Sequence, residues 1–183
     1  MQAEVQKLVN EVAQARANFI AAVTGLSPSQ AAFKLADEVW SITEITEHIT
    51  RAEHSGVSGM WKALDGFRHA TPVWSGNLVW DGQSIETVVE KTWQLKEQVP
   101  AIAAPIWGGS LGYWIASLRG LQSVLEELGE QLGTVRMEEV VYPHPISGPL
   151  NVRQRLEFLR FHLDRHRGQV ETLKQHSNFP AAE

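Results

Sequence analysis

Four stretches of this 183-residue chain repeat apolar side chains at intervals of three and four, each fenced by proline, glycine or a helix-capping residue. That interval is the period of an α-helix with one buried face, so any fold open to the chain must cover four apolar stripes at once. The first stripe runs Leu8, Val9, Val12, Ala15, Phe19 and Val23, stops near Gly25 and meets a turn at Ser27-Pro28-Ser29. The second begins at Ser41-Ile42-Thr43-Glu44, where the Ser side chain and the Glu carboxylate satisfy each other's early N–H groups. It continues through Ile45, Ile49, Ala52, Gly56, Met60 and Ala63, with small residues that let a neighbouring helix approach closely. A third helix is predicted over Ser110 to Leu132, ended by Gly133, and a last one from the capping Asn151 to about Gln175.

Between the second and third helices the period is lost from about Phe67 to Gly82, a segment carrying Pro72, Gly76, Trp74 and Trp80. Ser84 to about Val99 reads as helical again, and Pro100, Pro105 and Gly108-Gly109 break it. Tyr142 to Leu150, with three prolines and Gly148, reads as a turn-rich approach to the last helix. No internal repeat or change of composition marks a boundary. The expectation is a single domain over residues 1–183: an all-α, antiparallel four-helix bundle with an elaborated connection between helices two and three.

Composition narrows the function. Hydrophobic residues at 43% and charged residues at 20% describe an ordinary globular chain. The net charge of −5 argues against a phosphate-tracking surface, so nucleic acid is not an expected partner. With no cysteine, disulfides, thiolate nucleophiles and Cys-containing zinc sites are all excluded. No apolar run approaches the roughly 18 residues of a membrane span, and Met1-Gln2-Ala3-Glu4 does not open a signal peptide, so the expected location is the cytoplasm. Motifs for a His-Glu-x-x-His protease, a phosphate-binding glycine loop and a Gly-x-Ser-x-Gly elbow are absent.

The constellation that remains is histidine. His162 and His166 are four apart in the last helix, hence on one face, flanked at helical offsets by Phe158, Leu159, Leu163 and Val170. His48 follows Ile45 by three and precedes Ala52 by four, so it shares the buried stripe of the second helix. Buried imidazoles need partners for both ring nitrogens, and one divalent metal ion shared by His48, His162 and His166 would meet that need. Three separately satisfied core histidines are the competing account. Neutral imidazole ligands would leave a coordination position for water or substrate, the pattern of catalytic sites. Glu44 is a candidate hydrogen-bond acceptor behind a ligand imidazole, or a general base, with capping as its simpler role; Gln169 is a candidate pocket residue, Asp164 a solvated charge. His54, His69, His144 and His176 show no such pattern and are expected on the surface or in loops.

The segments Trp40-Ser41-Ile42-Thr43-Glu44-Ile45-Thr46-Glu47-His48-Ile49, His144-Pro145-Ile146-Ser147-Gly148-Pro149-Leu150 and Phe161-His162-Leu163-Asp164-Arg165-His166-Arg167-Gly168-Gln169-Val170 resemble the DinB-like superfamily, including its YfiT-like metal-dependent hydrolases. The matching features are one His in helix two and a His-x-x-x-His in the last helix after a Pro-Gly turn. The resemblance implies a four-helix bundle, a zinc or nickel ion at the three histidines, and frequently a homodimer. Some members transfer low-molecular-weight thiols such as bacillithiol or mycothiol to electrophiles.

Two functional expectations follow. The first is an enzyme whose three-His metal site activates a thiol or water against a small electrophilic substrate, as a thiol S-transferase or a hydrolase. The second is a non-catalytic bundle with a structural or vestigial metal site, acting in dimerisation or ligand binding, with Trp74, Trp80 and Trp107 as interface or lid.

Overall fold

The computed structural model describes residues 2–94 and 98–181. Its long helices are α1 (Ala3–Val23), α3 (Ile42–Arg68), α5 (Leu111–Leu132) and α6 (Val152–Lys174), with short helices α2 (Pro28–Ala32) and α4 (Ile85–Thr92) in the connections. The starts follow the capping chemistry. Ser41 Oγ accepts from Glu44 N at 3.2 Å while Glu44 Oε2 accepts from Ser41 N at 2.7 Å. Asn151 and Gln154 form the same reciprocal pair at the head of α6, and Ser110 caps α5.

The long helices form a bundle in which α1 and α3 each pack against both α5 and α6. Their apolar stripes meet in one cluster that includes the fully buried Phe19, Ile49, Met60, Leu118, Leu125 and Leu156. Each such side chain contributes roughly 1.5–3 kcal/mol of burial, which is what fixes α3 and α6 side by side with their histidines facing each other. One buried ion pair crosses this core: Arg16 Nη2 lies 2.7 Å from Glu53 Oε2. Among the described residues no helix is long and apolar enough to cross a membrane.

The structure departs from expectation in two places. The Pro-Gly turn is a β-hairpin, β1 (Val141–His144) with β2 (Gly148–Asn151), in which Tyr142 faces Leu150 and Pro143 faces Pro149. Four-residue strands are too short to display a period, and their prolines argued against a ladder; opposed prolines are tolerated because neither supplies an N–H to the other. Helix α4 ends at Thr92 rather than near Val99, and residues 95–97 of that stretch lie outside the described residues. Trp93 turns away in extended backbone, and its indole N–H donates to Ser147 Oγ at 3.1 Å, a contact with the hairpin that no local signal encodes. Ile85, Val88 and Val89 of α4 join Leu150 and Phe158 in a second small core. Gln154 Nε2 ties the connection to α6 through the carbonyls of Trp80 at 2.6 Å and Gln83 at 3.1 Å.

Candidate metal centre

Helix α3 supplies His48 and helix α6 supplies His162 and His166, each about 5% exposed. Their Nε2 atoms converge: His48 to His162 is 3.2 Å, His162 to His166 is 3.0 Å. One ligand atom from each ring lies within 4.8 Å of the others.

Hydrogen bonds at the far side of two rings decide which nitrogens carry lone pairs. His48 Nδ1 is 2.8 Å from the carbonyl of Ala103, which can only accept, so Nδ1 holds the proton and Nε2 the lone pair. His166 Nδ1 likewise donates to Gln169 Oε1 at 2.8 Å. Two lone pairs therefore point at His162 Nε2, whose single proton can satisfy one of them. The trio cannot complete its own hydrogen bonding, whereas a cation at the meeting point would accept all three lone pairs. Tetrahedral coordination with bonds of about 2.0–2.1 Å puts ligand nitrogens about 3.3 Å apart, close to the two spacings that His162 makes.

Electrostatics keep the rings in the ligating form. Burial pushes the His166 imidazolium down to about 3, with the charge of a protonated His48 adding to it. Burial holds His162 well below its ordinary range, reinforced by His166 and His48, and lowers His48, reinforced by Arg51. All three are neutral at pH 7.

The rings open onto a cavity of about 480 Å³. Its walls near the centre are aromatic: Trp40 lies 4.8 Å from His48 between ring centroids, Phe158 stacks on His162 at 5.3 Å, and Trp93 meets His162 edge-on at 6.4 Å. Ile102 and Ile146, from the connection and the hairpin, line it further out.

The Glu44 carboxylate is engaged by Ser41 N–H and by Lys34 Nζ at 2.8 Å; these contacts hold its pKa below the ordinary carboxylate range against the opposing effect of burial. Asp164 sits on the outer face between Arg160 and Arg167. Gln169 supports His166. His54, His69 and His176 are exposed. His144 is a correction: expected in a surface loop, it is only 9% exposed, because the hairpin folds it against Phe158 and Trp93 in the cavity wall. Its Nδ1 accepts the backbone N–H groups of Ile146 and Ser147, and burial lowers its pKa to about 3. Trp107 and Trp74 are exposed and Trp80 donates its indole N–H to Ser147 O; the tryptophans beside the imidazoles are Trp40 and Trp93.

Sequence reasoning passed over two buried charges beside this centre. Glu47 immediately precedes His48, and Arg155 precedes His162 by seven residues, hence on the same helix face. That heptad offset was the available signal for Arg155; Glu47 had none, because its partners come from the connection.

The fold is similar to that of YfiT from Bacillus subtilis, described as a probable metal-dependent hydrolase with an unusual four-helix bundle topology. The match has a TM-score of 0.63 at 14% identity and covers 98% of this chain and 91% of that one. Among proteins of curated function, none matches the sequence. The sequence model of the DinB superfamily matches residues 11–170, which take in all three histidines and every long helix in whole or in large part. The chain belongs to the DinB superfamily.

Proposed function

We propose that this chain is a metal-dependent enzyme in which His48, His162 and His166 hold one divalent ion, zinc or nickel, at the floor of the adjoining cavity. The observation that supports the reading is the pair of Nε2 lone pairs, fixed by Ala103 O and Gln169 Oε1, that converge on the Nε2 of His162. An ion held only by neutral imidazoles keeps its full charge, and so would make a bound thiol or water markedly more acidic at neutral pH.

The chain's own residues prepare that chemistry. Ala103 and Gln169 orient two of the three rings, and such outer partners raise ligand basicity. Trp40, Trp93 and Phe158 exclude water from one side of the centre, which strengthens electrostatic effects within it. The cavity admits a small electrophile. A thiol used here must come from a co-substrate, because the chain has no cysteine; transfer of a low-molecular-weight thiol is preferred to hydrolysis. The reading includes a homodimer in the cytoplasm.

Elemental analysis of protein purified without added metal tests the proposal. About one divalent ion per chain is expected, lost in His162→Ala, together with turnover of model electrophiles that a chelator abolishes. Metal-free protein that gains no ion on reconstitution would overturn it.

A further inference from the structure

The cavity contains a second polar feature, away from the imidazoles, and it is charged. Arg155 lies near the start of α6, seven residues before His162. Seven residues make nearly two turns, so the two side chains leave on one face about 10 Å apart along the axis. Arg155 is 4% exposed and lines the cavity wall.

This guanidinium has no counter-charge to account for its burial. Its Nε and Nη1 are buried without a hydrogen-bond partner, and among the described residues no carboxylate forms an ion pair with it. It is packed instead against rings, 5.2 Å from the centre of Tyr142 and 5.8 Å from that of Phe158. The contrast with Arg16 is instructive: that arginine is as deeply buried, but bonds Glu53 through Nε and Nη2 and Gln122 through Nη1. A buried charge without a partner costs stability and is retained where a ligand supplies the missing half. Gly56 makes room for the guanidinium, since a Cβ there would stand 3.3 Å from Arg155 Nη2. The first turns of α6 add the positive end of the helix dipole.

The geometry points to Arg155 as the docking point for a carboxylate on the substrate, whose apolar body lies along Phe158 and Leu159 and whose other end reaches the three-histidine centre. The second half of this statement rests on the reading of that centre given above; the carboxylate site itself does not. A monoanion is favoured over a phosphate dianion because one guanidinium neutralises one charge, and its planar fork matches a carboxylate. Ile45, Ile146, Phe158 and Leu159 make the cavity wall largely apolar, with the neutral His144 ring packed beside Phe158, so the substrate class is a small monocarboxylate with a mainly apolar spacer.

Calorimetry with octanoate and its neutral isostere octanamide tests this on the full chain, chelator-treated so that no metal competes for the carboxylate. Octanoate is expected to bind about tenfold or more tightly than octanamide. Arg155→Met should remove that preference, and should melt no lower than the parent because it deletes an unpaired buried charge. Arg155→Lys, which keeps the charge and loses the fork, should weaken octanoate binding by a smaller factor. Equal affinities in the parent, a preference that survives Arg155→Met, or a marked loss of melting temperature in that variant would overturn the assignment. The two readings fail separately. Metal at the histidines with no Arg155-dependent octanoate binding sinks the carboxylate site alone, whereas Arg155-dependent binding in a chain that takes up no metal upholds the site and sinks the metal centre.

Discussion

Glu47 holds the backbone of Trp107. Its buried carboxylate accepts the N–H of Trp107 at 2.7 Å through Oε1 and that of Gly108 at 2.9 Å through Oε2, and Arg51, 3.7 Å from the same carboxylate, lies under the Trp107 ring at 4.8 Å. The next residue of α3 is His48, which donates to Ala103 O in the same segment. Two consecutive residues thus fasten the end of the long connection to the helix that carries a candidate ligand, one by charge and one by the ring itself.

Glu47→Gln should therefore loosen the centre as well as the connection. The amide keeps one acceptor and turns a donor toward the second N–H, so one backbone group loses its partner at about 1–3 kcal/mol. For a chain of this size that is a fall in melting temperature of roughly 2–12 °C. Hydrogen exchange should show faster opening around residues 103–108, and metal affinity should fall with it. Unchanged protection there would show that the clasp does not hold the segment.

Gln169 offers a cleaner handle on the proposed metal site, because its side chain is at the surface edge and carries no packing burden. Gln169→Leu removes the acceptor for His166 Nδ1 and frees the ring to rotate or change tautomer. A 10–100-fold loss of metal affinity is expected, with helicity and melting of the metal-free chain within a degree or two of the parent. Competition titration with a chromophoric chelator measures it, and an unchanged affinity would mean that His166 is oriented by packing alone.

The metal-free protein should be acid-sensitive. His144 and His166 are lowered to about 3 from the ordinary 6.5, and His48 and His162 are lowered in the same sense, all chiefly by burial. A histidine lowered by folding stays neutral in the native state, so between pH 6.5 and about 3 the unfolded chain binds protons that the folded chain does not. Stability is then complete above 6.5 and declines as pH falls, by about 1.4 kcal/mol per pH unit for each such group. Melting curves should be level from pH 7 to 8 and drop steeply below about pH 6. A melting temperature that rises on acidification would contradict the buried, neutral assignment.

How much of this was legible in the sequence depended on whether the deciding contact was local. The helix caps at Ser41 and Asn151 were readable because cap and partner are three residues apart, and the inward direction of His48, His162 and His166 because their apolar neighbours recur at helical spacing. What escaped depends on chain brought from far away. His144 looked like a loop residue because only the hairpin, paired through Tyr142 and Leu150, carries it to Phe158. Glu47 gave no signal because the N–H groups it binds come from sixty residues later. Arg155 could not be recognised as unpaired until the carboxylates of every neighbouring element were placed.

The glycines of the long helices separate close packing from incidental small size. A Cβ on Gly59 would lie 2.0 Å from Tyr142 Cε1, against the hairpin ring that also packs on Arg155. Gly120 on α5 has nothing within 4 Å of the same position. Both are mid-helix, so replacement by alanine gains about 0.5–1 kcal/mol of helix propensity at each. At Gly120 that gain stands alone, and Gly120→Ala should raise the melting temperature by about 1–4 °C. At Gly59 the ring must move, and overpacking of about 1–3 kcal/mol or more outweighs the propensity gain, so Gly59→Ala should melt lower than the parent. Because the ring that must move packs on Arg155, octanoate binding at Arg155 should weaken in Gly59→Ala and stay unchanged in Gly120→Ala. If both alanine variants were equally stabilised, the close approach of the hairpin to α3 would be wrong.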